Sequence, residues 1–223
     1  MASPSEELPL GLTVPPVESG VEIPAEPSDV GARALSVAAR LLSGATTFFF
    51  LAFLFAYFYL RSINVDHMWR PSHVKVDQPL GAAFIVCVIL SVALAIVSGR
   101  HMKREARTWV GPATGALAFG MIAVILQCIE YTAQKFGPTD GAFASVFCAW
   151  TGFYLIATLG TMYWLETQVA TELRARRQPA GSNIEGDIED PDRLIAPGLD
   201  AAVFYWSFLG GIGVITYVTL YLL

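Results

Sequence analysis

The chain is poor in charge and in the residues that hold metals. Asp, Glu, Lys and Arg make up 15% of its 223 residues, and it contains three cysteines and three histidines. Soluble domains carry about 25% charged residues. That shortfall, with 54% apolar residues and a mean hydropathy of +0.53, excludes an ordinary soluble domain and identifies a membrane protein. Cys87, Cys128 and Cys148 fall in oily runs at spacings that match no zinc or iron-sulfur pattern. They read as compact apolar packing residues. His67, His73 and His101 all fall in loops, whereas a haem or copper centre within the membrane needs imidazoles inside the spans. Inverted repeats, broken helices and mid-membrane charges, the marks of a transporter, are lacking too. The start, MASPSEELPL, has neither a basic region nor an early apolar core, so it does not read as a signal peptide. No nucleic-acid partner is expected.

What the chain does have is five runs free of charge, from Leu41 to Leu60, Gln78 to Gly99, Thr108 to Ile129, Gly141 to Leu165 and Ala201 to Leu223. Each is close to the roughly 20 apolar residues that an α-helix needs to cross the hydrocarbon layer. Lipid offers the backbone no hydrogen-bond partners, and a helix satisfies its own. The expected fold is therefore all-α, a polytopic bundle of five transmembrane helices over residues 41–223, with spans at about 41–61, 79–99, 108–131, 141–165 and 201–223. Residues 1–40 read as an acidic, Pro-rich disordered tail; the first 32 hold six prolines and six acids with no Lys or Arg. Ser28 or Asp29 is a candidate cap for an early start of the first helix. Residues 166–200 read as a helical overhang followed by a loop.

Ten of the fourteen Lys and Arg residues fall on the amino-terminal side of these spans, and Arg61, Arg70, Lys75 and Lys135 on the other. Basic loops stay in the cytoplasm, so the amino terminus is expected inside and the carboxyl terminus outside.

Within the spans, Gly111 and Gly115, Ala116 and Gly120, and Ser207 and Gly211 are small residues four apart, a spacing that lets helix backbones approach closely. FFFLAFLFAYFYL in the first span is a bulky aromatic wall suited to lipid contact and core packing. Trp69, Trp109, Tyr163, Trp164, Tyr205 and Trp206 suit an interfacial belt. Pro112, in the first turn of its helix, removes no internal hydrogen bond. The third span ends LQCIEYTAQK, which places Gln127 and Glu130 on one helical face. Glu130 reads either as an interfacial carboxylate reaching water near Lys135, or as a buried partner of Gln127 and a neighbouring helix or subunit.

Four stretches, in order, resemble subunit III of the haem-copper oxidases. They are FFFLAFLFAYFYLRS; Gln127, Glu130 and Tyr131; Thr151, Gly152 and Phe153 followed by Gly160; and Tyr205, Trp206 and Phe208. The resemblance covers about residues 40–223 and corresponds to a shorter, five-span form of the family. It departs from the family at Thr46, where a glutamate is common, and at Tyr154, Ala157 and Ser207, where histidines are usual. The resemblance implies a subunit without catalytic, cofactor-binding or metal-binding residues of its own. It would sit beside oxidase subunits I and II, which hold haem and copper, in the inner (plasma) membrane of a prokaryote, with phospholipid bound between helices. Gln127, Glu130, Tyr131, Thr151, Gly152, Phe153, Tyr205 and Trp206 would then serve structure, partner or lipid contact. A subunit III-like accessory protein of nitric oxide reductase and a small membrane transporter are the alternatives.

Overall fold

The computed structural model describes residues 28–64, 69–104, 107–177 and 192–223. They form five helices: α1 (Ser28–Ser62), α2 (Gln78–Lys103), α3 (Val110–Ala133), α4 (Ala142–Arg177) and α5 (Asp192–Tyr217). A 3₁₀ turn, Arg107–Trp109, leads into α3, and a π turn, Val218–Leu222, continues α5. Each of the five helices is long and apolar enough to cross a membrane, and the described residues include no strand. The protein is an all-α, multi-pass membrane bundle.

Two boundaries differ from those drawn on charge. Residues 28–40, assigned to the tail, are the first turns of α1, and Ala39 among them is buried. The early start offered by Ser28 or Asp29 is present, since α1 begins at Ser28. Likewise α5 begins at Asp192, with Ile195 and Leu199 buried. A charge-free window locates the hydrocarbon layer, but α1 and α4, at 35 and 36 residues, run about 50 Å and overrun it by several turns. The overhang expected after residue 165 is present as the last turns of α4. The tail up to residue 27 and the loop at 178–191 lie outside the described residues.

Successive helices run in opposite directions, so the bundle has an N-terminal end and a C-terminal end. Helix α5 packs along α1, α2 and α4, while α3 lies against α2 and α4. Tyr221 of the π turn meets early α2 and late α3 at the C-terminal end, and Lys103 at the close of α2 pairs with Asp200 of α5 at the other.

Packing against α5 is set by glycines. A Cβ on Gly210 would stand 2.7 Å from Val92 Cγ2, one on Gly213 would strike Tyr154, and one on Gly81 would strike the Tyr221 ring. Of the small pairs expected from sequence, Ala116 and Gly120 pack within the chain, the latter against Met162. Gly115 faces Leu94, but Gly111 and Gly211 have open space around them. Gly141 turns the chain into α4 at φ 141°, a backbone conformation that side chains disfavour.

The aromatic wall divides by face. Phe50 and Tyr57 are buried, with Phe50 edge-on to Phe153 of α4 at 5.5 Å, whereas Phe48 is 77% exposed and Phe55 70%. The belt reading holds poorly for Trp69, Trp109, Tyr205 and Trp206, which are buried in the bundle; Tyr163 is exposed. Burial gives their large rings more contact than an interface would. Cys87 and Cys148 are partly buried as expected of packing residues, but Cys128 faces outward.

Adding a methyl group separates packed from open glycines. Gly210→Ala and Gly81→Ala should each cost about 1–3 kcal/mol through overpacking. Gly111→Ala and Gly211→Ala should gain up to about 1 kcal/mol from helix propensity. Thermal unfolding of the detergent-solubilised chain distinguishes the two sets; equal shifts would contradict this packing.

Candidate functional site

The polar side chains of the bundle pair with one another across helices. At the C-terminal end, Gln127 and Glu130 lie on the inward face of α3, at 2% and 1% exposure. Gln127 Nε2 donates to Glu130 Oε2 at 2.9 Å, and the Tyr221 hydroxyl donates to the same oxygen at 2.7 Å. Gln78 Nε2, at the start of α2, donates to the backbone oxygen of Tyr221 at 3.0 Å. The carboxylate thereby ties α3 to the π turn, and Gln78 ties the π turn to α2. Glu130 Oε1 is buried and has no hydrogen-bond partner among the described residues. The interfacial reading of Glu130, a carboxylate reaching water beside Lys135, is therefore overturned; its side chain points into the bundle.

The π turn positions the phenol. Its wider backbone, closed by Leu223 N–H to Val218 O at 3.1 Å, lets Thr219, Leu220 and Tyr221 all turn inward. The Tyr221 ring lies against Gly81 and edge-on to Phe147 at 5.7 Å.

Three further connections share one design, in which a ring donor gives to a hydroxyl and the hydroxyl gives to a carbonyl. Trp206 Nε1 donates to Ser91 Oγ at 3.0 Å, and Ser91 Oγ to Ala116 O at 2.6 Å, joining α5, α2 and α3. Trp150 Nε1 donates to Thr216 Oγ1 at 2.8 Å, and Thr216 to Ile212 O at 2.9 Å. Thr151 Oγ1 donates to Phe147 O at 2.6 Å, so Tyr131 Oη must donate in its 2.7 Å bond to Thr151.

The sequence-selected residues thus fall in two groups. Gln127, Glu130, Tyr131 and Thr151 gather at the C-terminal end, with Gly152 beside them, where a Cβ would stand 3.7 Å from the Tyr131 hydroxyl. Phe153 stacks on Phe49 at 4.8 Å. Tyr205 and Trp206 belong to the other half of α5, where Tyr205 Oη is 3.0 Å from Thr46 Oγ1. Sequence reasoning missed Tyr221, Gln78, Trp150, Thr216 and Ser91. The signal for Tyr221 and Gln78 was depth: both lie at the membrane end that holds Glu130, where a buried carboxylate needs donors. Ser91 and Thr216 gave no such signal, since span hydroxyls commonly bond within their own helix.

Among the described residues, no three His, Cys, Asp or Glu side chains come together. At the positions where the sequence departs from the resembled family, Thr46 bonds Tyr205, the Tyr154 hydroxyl donates to Leu209 O at 3.1 Å, and Ser207 donates to Val203 O of its own helix at 2.7 Å.

Residues 30–176, which include α2, α3 and nearly all of α1 and α4, match the family model of cytochrome c oxidase subunit III. The chain belongs to that family. It is similar to cytochrome c oxidase subunit 3 of Pylaiella littoralis, 27% identical over 78% of this chain and 61% of the relative. The corresponding protein of Pyricularia grisea is 25% identical over 88% of this chain and 72% of its own length. A probable cytochrome c oxidase subunit 3 of Rickettsia prowazekii is 27% identical over 70% and 53%. The match to these relatives thus spans between about half and three quarters of their length.

Graded removal tests the carboxylate knot. Glu130→Gln keeps an oxygen that can accept from Tyr221 and should change stability little, leaving assembly intact. Glu130→Leu strands the donors of Gln127 and Tyr221 and should cost about 1–3 kcal/mol. Tyr221→Phe should cost about 1 kcal/mol. In unfolding of the detergent-solubilised chain, the Leu and Phe changes combined should cost less than their sum, because both remove the same bond.

Proposed function

We propose that the chain is an accessory, non-catalytic subunit III of a haem-copper terminal oxidase, packed beside the catalytic subunit I and stabilising it. The observation that carries this reading is the family match over residues 30–176. It favours an oxidase over a small transporter. The internal geometry is consistent with a scaffold: hydroxyls, amides and indoles close on one another and link all five helices. Exposed apolar surface is large, including Phe48, Phe49, Phe55 and Phe58 of α1. In a bilayer, such a surface meets either lipid or a neighbouring subunit.

On this reading haem and copper reside in subunits I and II, and electrons from cytochrome c or a quinol pass to oxygen there. Gln127, Glu130, Tyr131 and Thr151 fix the C-terminal end of the bundle, while Gly152, Phe153, Tyr205 and Trp206 shape its packing. The membrane is the inner membrane of a prokaryote, with the amino terminus in the cytoplasm, the side favoured by ten of the fourteen basic residues.

Tagged chain isolated in mild detergent should bring down a haem-containing subunit with a Soret band, and the chain purified alone should show none. A partner with haem and non-haem iron would instead assign it to nitric oxide reductase. The chain should also unfold at a higher temperature within the complex than alone, because a partner that binds only the folded form shifts the equilibrium. Equal unfolding temperatures would argue against the scaffold role.

A further inference from the structure

The N-terminal end of the bundle carries two grooves that share the first turns of α5. One, of about 270 Å³, lies between α2 and α5, and its lining includes Gly99, Met102, Lys103, Pro197 and Asp200. The other, of about 170 Å³, lies between α1 and α5 and includes Ala39, Arg40 and Phe204, with Pro197 and Asp200 again. Lys103 Nζ is 2.7 Å from Asp200 Oδ1, so that aspartate is already compensated. Arg40 is exposed and has no ion-pair partner among the described residues. The same holds for Arg100, in the last turn of α2, and Arg104, just past it. Together with Lys103 and Asp200, these three arginines give the surface a net charge of +3. Such a surface, concave and partly apolar, suits an acidic segment that also carries apolar side chains.

The chain supplies one. Residues 1–27, which lie outside the described residues, hold five glutamates, six prolines and no Lys or Arg. In VESGVEIPAEP, residues 17–27, the acids are interleaved with Val17, Val21 and Ile23. This segment joins α1 at Ser28, so it is at the same end as the grooves whichever way the chain is inserted. A tether of this kind presents the segment at a local concentration on the order of millimolar, at which weak contacts suffice. Lengths agree as well. Arg40 stands about 18 Å along α1 from Ser28. A Pro-rich chain extends about 3.1 Å per residue, so one running back along α1 draws level with Arg40 about six residues before Ser28, at Glu22. Glu18 lies about 12 Å further on, enough to cross from one helix to the next toward Lys103 on α2.

We propose that residues 17–26 fold back onto this surface, with Glu22 meeting Arg40, Glu18 meeting Lys103, and the interleaved apolar side chains entering the grooves. The acidic segment then caps the N-terminal end of the bundle. Carbodiimide coupling of the full-length chain in mild detergent tests it, because Lys75, Lys103 and Lys135 are the three lysines of the sequence and only Lys103 belongs to this end. Mass spectrometry of the digest should find Lys103 joined to Glu18 at least fivefold more than to Glu6 or Glu7, with its coupling to Asp200 as the internal reference. Arg40→Ala should lower the Lys103–Glu18 product about threefold, the effect of losing one exposed ion pair. Arg40→Glu with Glu22→Arg should restore it. Circular dichroism melting of each variant confirms that it is folded, and a mixture of isotope-labelled and unlabelled chains should show the product forming within one chain. Equal coupling of Lys103 to all five tail glutamates, or an unchanged product in folded Arg40→Ala, would overturn the proposal by making the tail a passive tether. So would coupling of Lys103 to Glu185 or Asp187 in place of the tail, which would give the grooves to the loop at 178–191. A mixed-isotope product would give them to a second copy of the chain and overturn it too.

Discussion

A carboxylate within a span can stay buried only if something replaces the water it has left, and the C-terminal end of this bundle is organised around that requirement. Glu130 draws a donor from its own helix, Gln127, and one from the far end of the chain, Tyr221. The second bond dictates much else. Tyr221 must point inward from the last turn of the chain, which the π turn allows, and its ring needs room, which Gly81 supplies. Gln78 then closes on the Tyr221 backbone. One acidic residue on α3 thus accounts for a glycine on α2, an irregular turn after α5 and an amide at the start of α2.

The same constraint operates at lower cost elsewhere. An indole or phenol has a donor that hydrocarbon cannot satisfy, and a serine or threonine can pass that demand on to a backbone carbonyl. Three such relays tie α3 to α4, α4 to α5, and α5 through α2 to α3. Hydrogen bonds of this kind are individually worth about 0.6 kcal/mol in membrane proteins. Their effect is mainly on specificity, because each is directional and sets the rotation of a helix about its axis, which apolar packing alone leaves loosely defined.

Fold class and helix number were legible in the sequence because both follow from one property, the length of charge-free runs. The same property misplaced the start of α1 and α5. Charge marks the edge of the hydrocarbon, while Ala39, Ile195 and Leu199 continue to pack beyond it, so helix and membrane span are different objects. The face of Gln127 and Glu130 was legible from their three-residue spacing, yet the environment of Glu130 was not. Whether a span-end acid meets water or a phenol depends on what lies at that depth on other helices, here a residue 91 positions away. Small-residue spacing had the same limit: Gly120 packs and Gly111 does not, although both belong to pairs of identical spacing.

The richness of the spans in packing has a simple cause on the reading proposed above. If the redox groups belong to partner subunits, the constraint left on this chain is shape, and polar side chains are free to be used in pairs. The positions where it departs from its family show how that constraint is met. Thr46 bonds Tyr205, Tyr154 reaches a backbone oxygen of α5, and Ser207 satisfies itself on its own helix. Each is a neutral side chain that finds its partner inside the bundle. Glu130, buried in the C-terminal half, is held by Gln127 of its own helix and Tyr221 of the π turn, and what the junction requires of it is an acceptor oxygen at that place.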